Sequence, residues 1–224
     1  MAEQLKNTSM IERLRRLNPD IDIYSVRDEE FKSYGKVLEL DASELVDACG
    51  KIQLPEAGTE YALSVDCLEK LEGSERIREV TAGGCEVQIG ICMGYNRFMN
   101  ALEFHKSAEV NIAAAPLVLL LGLVYEMDGK EFLSEKVKAF YLEKGDVVEV
   151  YGTTLHFCPC QVSDDGFRCV VALPKGTNAP LDKSAEDRLL FKKNKWLICH
   201  DENESLIQKG VYPGIHGKNF EIKY

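Results

Sequence analysis

Glu103, His105 and Glu109 fall within one seven-residue stretch, EFHKSAE. The imidazole is one of four in the chain, and carboxylates stand two residues before it and four after it. Laid out as a β-strand, Glu103, His105, Ser107 and Glu109 share one face, because strand side chains alternate with period two. Two carboxylates facing a barrel interior need a cation or paired bases, and nothing in the segment supplies a base on that face. Neutral imidazole and carboxylate are standard donors for first-row divalent ions. The stretch therefore predicts part of a metal centre, the alternative being a solvated charged strand that happens to hold a histidine.

A further donor must come from another strand, and His156 is the candidate. It sits between Leu155 and Phe157 in GDVVEVYGTTLHF, eleven residues after Gly145. His105, Glu109 and His156 form the expected ligand set. Glu103 is either a fourth ligand or an unligated general base beside a three-ligand centre. Such a hard, anionic set suits Mn²⁺, Fe²⁺, Ni²⁺ or Zn²⁺ alike, and it leaves positions for substrate oxygens. A metal chelated by neighbouring carbonyl and hydroxyl oxygens acidifies the C–H between them and stabilises the enediolate that follows. No Ser–His pair offers a nucleophile for hydrolysis.

Other residues could complete the site. Tyr95, Arg97 and Asn100 precede the ligand strand, and with Lys175 they are the candidates to orient an oxygen-rich substrate at the barrel mouth. Cys158 and Cys160 fall on the strand face of His156. A thiolate beside two carboxylates would mix soft and hard donors, so both read as small apolar residues. Trp196 is a packing anchor or a sugar-stacking face, and His200 and His216 read as structural or solvated.

The elements that must position these residues change texture along the chain. SMIERLRRL (9–17) has a Ser N-cap, helical apolar spacing and a stop at Pro19. DASELVDAC (41–49), capped at Asp41 or Ser43, and SVDCLEKLEG, stopped by Gly73, are two more short helices. From about residue 83 onward, short β-branched and apolar runs alternate with Gly or polar turns, the texture of a sandwich or barrel. VNIAAAPLVLLLGLVY (110–125) reads as two buried strands joined at Ala115-Pro116, too short and too interrupted to cross a bilayer. SDDG predicts a hairpin between HFCPCQV and FRCVVAL, and KKN a second between RLLF and KWLICH. The tail GVYPGIHGKNFEIKY is expected to pack back on the barrel as coil.

Composition bounds the rest. The 224 residues are 45% hydrophobic and 29% charged, with a formal net charge of −10 from 27 Lys and Arg against 37 Asp and Glu. That excess of acid argues against a nucleic-acid partner. The N-terminus MAEQLKNTSMIERLRRLNP lacks an apolar signal region, and the eight cysteines lie mostly in apolar segments without a Cys-x-x-Cys pair. The expectation is a cytoplasmic protein with reduced thiols and no membrane segment.

These two segments resemble the two motifs of the cupin superfamily, Gly-x5-His-x-His-x(3 or 4)-Glu-x6-Gly and Gly-x5-Pro-x-Gly-x2-His-x3-Asn. Glu103 stands where the first cupin His stands, and His105 and Glu109 match the second His and the Glu. Gly145 matches the opening Gly of the second motif and His156 its ligand His. The departures are Arg97 and Pro116 for the first motif's glycines, Tyr151 for the Pro, Thr153 for the internal Gly and Cys160 for the Asn. The whole chain, with FYLEKGDVVEVYGTTLHFCPC and KNKWLICH, is also similar to uncharacterised bacterial cupins of this length. EEFKSYGKVLEL (29–40) faintly resembles the opening of ureidoglycolate lyases.

The resemblance implies one mainly β domain: a cupin-type antiparallel barrel or jelly roll over residues 83–174. An N-terminal extension (1–82) of short helices packs outside, and a C-terminal hairpin and tail follow (175–224). It also implies a homodimer and a divalent metal. The expected activity is an isomerase or epimerase acting on a small polar metabolite, a sugar or hydroxy acid. The alternatives are a lyase of ureidoglycolate type, a non-haem dioxygenase, or a sugar-binding sensor without catalysis.

Overall fold

The computed structural model describes residues 9–224. The first eight residues, on which the reading of a leader-free N-terminus partly rests, lie outside the described residues. Sixteen short strands run in chain order as β1 (Ile23–Ser25), β2 (Gly35–Val37), β3 (Thr59–Ala62), β4 (Val87–Gly94), β5 (Ala101–Phe104), β6 (Glu109–Ala113), β7 (Leu117–Leu123) and β8 (Phe132–Leu133), then β9 (Lys138–Leu142), β10 (Val147–Val150), β11 (Thr154–Leu155), β12 (Cys160–Gln161), β13 (Phe167–Pro174), β14 (Leu190–Lys192), β15 (Lys195–His200) and β16 (Tyr212–His216). Five helices accompany them: α1 (Met10–Leu17), α2 (Ser43–Gly50), α3 (Asp66–Glu69), α4 (Glu72–Thr81) and α5 (Glu204–Gln208).

One sheet runs β2-β10-β6-β13-β4-β3, and a second runs β1-β9-β7-β11 with β12 on the other side of β7. Leu117, Leu119, Leu121 and Phe140 of the second sheet meet Val148, Val150, Cys169 and Val171 of the first in one buried cluster. Alternate residues of β7 fill this cluster, while Val118 and Leu120 enter a second cluster behind the sheet. Both faces of β7 are therefore covered, which explains its uninterrupted apolar sequence. The result is the mainly β, cupin-type barrel that the motif resemblance implies. The third sheet, β14-β15-β16-β8 with β5 on β15, closes over one end. No helix of the described residues is long and apolar enough to cross a membrane.

Local expectations hold where short-range chemistry decides. Ser9 caps α1 with a reciprocal box: its hydroxyl accepts from Glu12 N, and Glu12 Oε2 accepts from Ser9 N. Pro116 lies between β6 and β7 as expected. The KKN hairpin forms between β14 and β15, with Asn194 at φ 54 supplying the left-handed turn residue.

Tertiary pairing overrides the rest. Gly73 is not a helix stop but lies in the first turn of α4, where a Cβ would meet Leu45 Cδ1 of α2 at 3.1 Å. The SDDG loop is no hairpin: β12 pairs with β7 and β13 with β4 and β6, so the loop crosses between sheets. The N-terminal third supplies the edge strands β1, β2 and β3 as well as helices, and β1 pairs with β9 in parallel. Residues 212–216 of the expected coil form β16, parallel to β15.

Candidate metal centre

EFHKSAE is not one strand. β5 ends at Phe104, the chain turns through Lys106–Ala108, and β6 begins at Glu109. The turn leaves the third sheet, where Phe104 faces Trp196, and enters the first, where Glu109 faces Val150. Gly152 lets β10's continuation approach this turn: a Cβ there would meet the carbonyl oxygens of His105 and Ser107 at 3.1 Å. His156 is held by backbone pairing with Glu103, each residue's N–H donating to the other's carbonyl, at 2.6 and 2.8 Å. The seam between two sheets, rather than strand alternation, brings Glu103, His105, Glu109 and His156 together.

All four are buried, and His105 is fully so. His105 Nδ1 donates to the Asn194 carbonyl at 2.6 Å, and His156 Nδ1 to the Thr154 carbonyl at 3.0 Å. These bonds fix each ring's orientation and leave each Nε2 facing the cluster, open to a proton or an ion. Both Nε2 atoms are buried without a hydrogen-bond partner, and both face Glu109 Oε2, at 3.3 and 3.4 Å. Glu109 Oε1 is held by Asn111 Nδ2 at 3.0 Å. Three acceptors this close repel unless a cation or a proton lies between them. Adjacent donors around an ion with bonds of about 2.0–2.2 Å stand roughly 2.9–3.5 Å apart. Both distances from Glu109 Oε2 to the imidazole Nε2 atoms fit that spacing.

The electrostatics carry the same tension. Burial alone would raise the Glu109 carboxyl, yet the His156 and His105 rings outweigh it and hold the group far below the usual carboxylate range. Burial opposes charging His156, yet the Glu109 carboxylate wins and pushes that imidazole up to about 9. Without an ion, a proton on His156 is the only charge that reconciles the cluster.

Glu103 stands apart in one respect. Its Oε1 lies 3.8 Å from His105 Nε2, outside the adjacent-donor range, yet Glu103, His105 and His156 hold donor atoms within 4.8 Å of one another and could also share an ion. Its Oε2 is in ionic contact with Lys195 Nζ from β15. The segment itself supplies no base for this carboxylate; the base comes from a strand some ninety residues later. A cavity of about 190 Å³ opens beside Glu103, Glu109 and His156. Cys92, Cys158, Asn178, Lys192 and Lys195 are among its other walls.

The expected substrate residues lie elsewhere. Tyr95 and Arg97 border a separate surface groove with Phe98 and Tyr224, and Arg97 pairs with Glu221 at 2.5 Å. Asn100, at φ 59, knits loops together: its side-chain Oδ1 accepts from Asn203 Nδ2 and Asn219 Nδ2. Lys175 forms an exposed pair with Glu86. Cys158 does line the cavity, but Cys160 turns into the second hydrophobic cluster. Trp196 is a packing residue, stacked on Phe104 at 5.4 Å with its Nε1 donating to Asp187. His200 is buried and satisfied by Gly217 O and Glu202 N, while His216 spans Asp201 and Glu131 at 2.8 and 2.7 Å.

Lys192, Lys195 and Asn178 were not singled out by the sequence, although one signal was present. In KKNK, residues flanking a two-residue turn are cross-strand neighbours and so share a face.

Among solved structures, the chain is similar to EvdO2 from Micromonospora carbonacea var. aurantiaca complexed with 2-oxoglutarate. The identity is 12% and the TM-score 0.45, over 69% of this chain and 93% of that one. It is also similar to an oxalate decarboxylase of Bacillus subtilis (11%, TM-score 0.32, covering 55% of this chain and 28% of that one). A third is salicylate 1,2-dioxygenase from Pseudoaminobacter salicylatoxidans (11%, TM-score 0.32, 65% and 31%). Comparison with curated proteins found no match. A family model matches residues 23–220. By that match the chain belongs to the family described as a domain of unknown function, DUF4867.

Proposed function

We propose that this protein is a metal-dependent enzyme of the isomerase or epimerase type, acting on a small oxygen-rich metabolite. The observation that carries the proposal is the convergence of two buried Nε2 atoms, neither with a hydrogen-bond partner, on one carboxylate oxygen. His105, Glu109 and His156 would hold Mn²⁺, Fe²⁺, Ni²⁺ or Zn²⁺. A divalent ion there supplies Lewis-acid polarisation of a substrate oxygen. Asn194 and Thr154 hold the two rings through their carbonyls, and Asn111 orients Glu109.

Glu103 is the proton carrier in this reading. Lys195 grips one of its oxygens, leaving Oε1 turned toward the cluster. A carboxylate so placed takes a proton from the carbon beside a carbonyl and returns it to a neighbouring atom. The test measures metal per chain after purification in metal-replete buffer, then solvent-deuterium incorporation into a panel of sugars and hydroxy acids. No bound metal would sink the site; bound metal without exchange into any compound would sink the isomerase.

One observation favours a second reading. With Glu103 engaged by Lys195, the remaining donors are two His and one carboxylate, the set of non-haem Fe(II) oxygenases. Oxygen consumption by the Fe(II)-loaded protein with the same panel separates the two. We also propose a homodimer in solution, for which sedimentation showing only the 25.2 kDa chain would be disqualifying.

A further inference from the structure

Lys192 and Lys195 are register partners across the turn Lys193–Asn194, and both line the cavity beside the metal cluster. Like charges directly opposed on an antiparallel pair destabilise it. Glu103 answers Lys195. Among the described residues, no carboxylate oxygen lies within 4.0 Å of Lys192 Nζ. The hairpin thus holds one unanswered cation against the cavity.

A second observation is independent of the lysines. Asn178 is 4% exposed and lines the same cavity, and its Oδ1 has no hydrogen-bond partner. Its Nδ2 donates to Tyr61 OH at 3.1 Å, which sets the amide's orientation. A buried acceptor without a partner costs stability unless a donor comes to meet it.

Charge and size narrow the ligand. With His156 neutral, as a bound ion requires, the charged lining residues are Glu60, Glu103, Glu109, Lys192 and Lys195, one negative charge in excess. A divalent ion reverses that to one positive in excess, and Glu60 is exposed, so the inner wall is more positive still. A volume of about 190 Å³ holds roughly six waters at ~30 Å³ each, room for a three- or four-carbon molecule. With Lys195 answered by Glu103, one ammonium remains, which matches the single charge of a carboxylate better than the nearly doubly charged phosphate.

We infer that the ligand of this site is a small hydroxy acid whose carboxylate docks on Lys192 beside Lys195 and whose hydroxyl donates to Asn178 Oδ1. This rests on the metal centre proposed above, which supplies the positive excess.

The experiment is calorimetric titration of the full-length, Zn²⁺-loaded protein, with metal per chain measured on every sample. The probes are D-glycerate, glycerol, propionate and glycerol 3-phosphate. The expected result is that D-glycerate binds at least about tenfold tighter than each of the others, the size of one charge-assisted hydrogen bond. Lys192→Met should lose that preference with bound metal unchanged, and Lys192→Arg should restore most of it. Equal binding of glycerol and glycerate, an unaffected Lys192→Met, tighter binding of glycerol 3-phosphate, or no heat with glycerate up to about 10 mM each overturns the carboxylate site. Equal binding of propionate overturns the hydroxyl contact. A wild-type protein that holds no zinc overturns the metal centre and this site together, whereas zinc retained with no glycerate preference overturns this site alone.

Discussion

In the proposed centre a metal must displace a proton. His156 is pushed up to about 9, with its Nε2 3.4 Å from Glu109 Oε2. At pH 7 roughly 1% of the ion-free protein has that nitrogen free. The apparent metal affinity at pH 7 is therefore on the order of 100-fold below its limit. At pH 8 the deficit is about tenfold, and above pH 9 it vanishes. Competition against a chromophoric zinc chelator at pH 7, 8 and 9, corrected for the chelator's own protonation, reads this slope. Calorimetry in two buffers of different ionisation enthalpy should show about one proton released per zinc at pH 7. The ion-free protein supplies the converse. A folded-state value raised above the ordinary 6.5 stabilises the fold fully below that pH, and the contribution is lost as pH rises through about 9. Stability of the ion-free form should therefore fall by about 3 kcal/mol across that window. An affinity flat from pH 7 to 9 with no proton release would refute the reasoning.

Three further outcomes are expected. Glu103→Gln should keep the metal while losing at least about 100-fold in solvent exchange, whereas Glu109→Gln should lose the metal itself; metal loss in Glu103→Gln would make Glu103 a ligand instead. His216→Gln removes an imidazole raised by Asp201 and then Glu131. Wild type should be the more stable of the two near pH 6, and the difference should shrink as pH rises through the raised value; a pH-independent difference in denaturant midpoint would count against the clasp. Gly122→Ala places a Cβ 2.6 Å from Phe132 Cζ and should cost about 1–3 kcal/mol by overpacking, so an unchanged Tm would contradict the packing.

How the site was legible in the sequence is instructive. Glu103, His105 and Glu109 were found by period-two spacing, although the chain turns between His105 and Glu109 and the shared face does not exist. They converge because β5 and β6 belong to different sheets that part at this point. His156 was found through motif register, and its backbone bridge to Glu103 is the physical content of that register. Lys195 was missed because its partner lies in another sheet strand, and no local pattern encodes that pairing. The strands IYS, GKV and TEYA are too short to carry periodicity, and they exist because β9, β10 and β4 offer them an edge. The Ser9 capping box and the Asn194 turn are readable because they close within a few residues, whereas α2 has Ala42 at its N-cap rather than the expected Asp41 or Ser43.

The pairing of β5 with β15 also sets an order on synthesis. Phe104 waits for Trp196, about 90 residues later, before its strand acquires that neighbour. At roughly 5–20 residues per second, the growing chain carries β5 without it for about 5–20 s. Throughout that interval Leu102 and Phe104 ride on an open strand edge, a hazard for sticking to other nascent chains. Lys195 is delivered with the same strand, so Glu103 lacks this counter-charge until about the last eighth of the polypeptide is made. The proposed metal centre would therefore meet ions first as a more anionic cluster, and in its final form only once β15 docks.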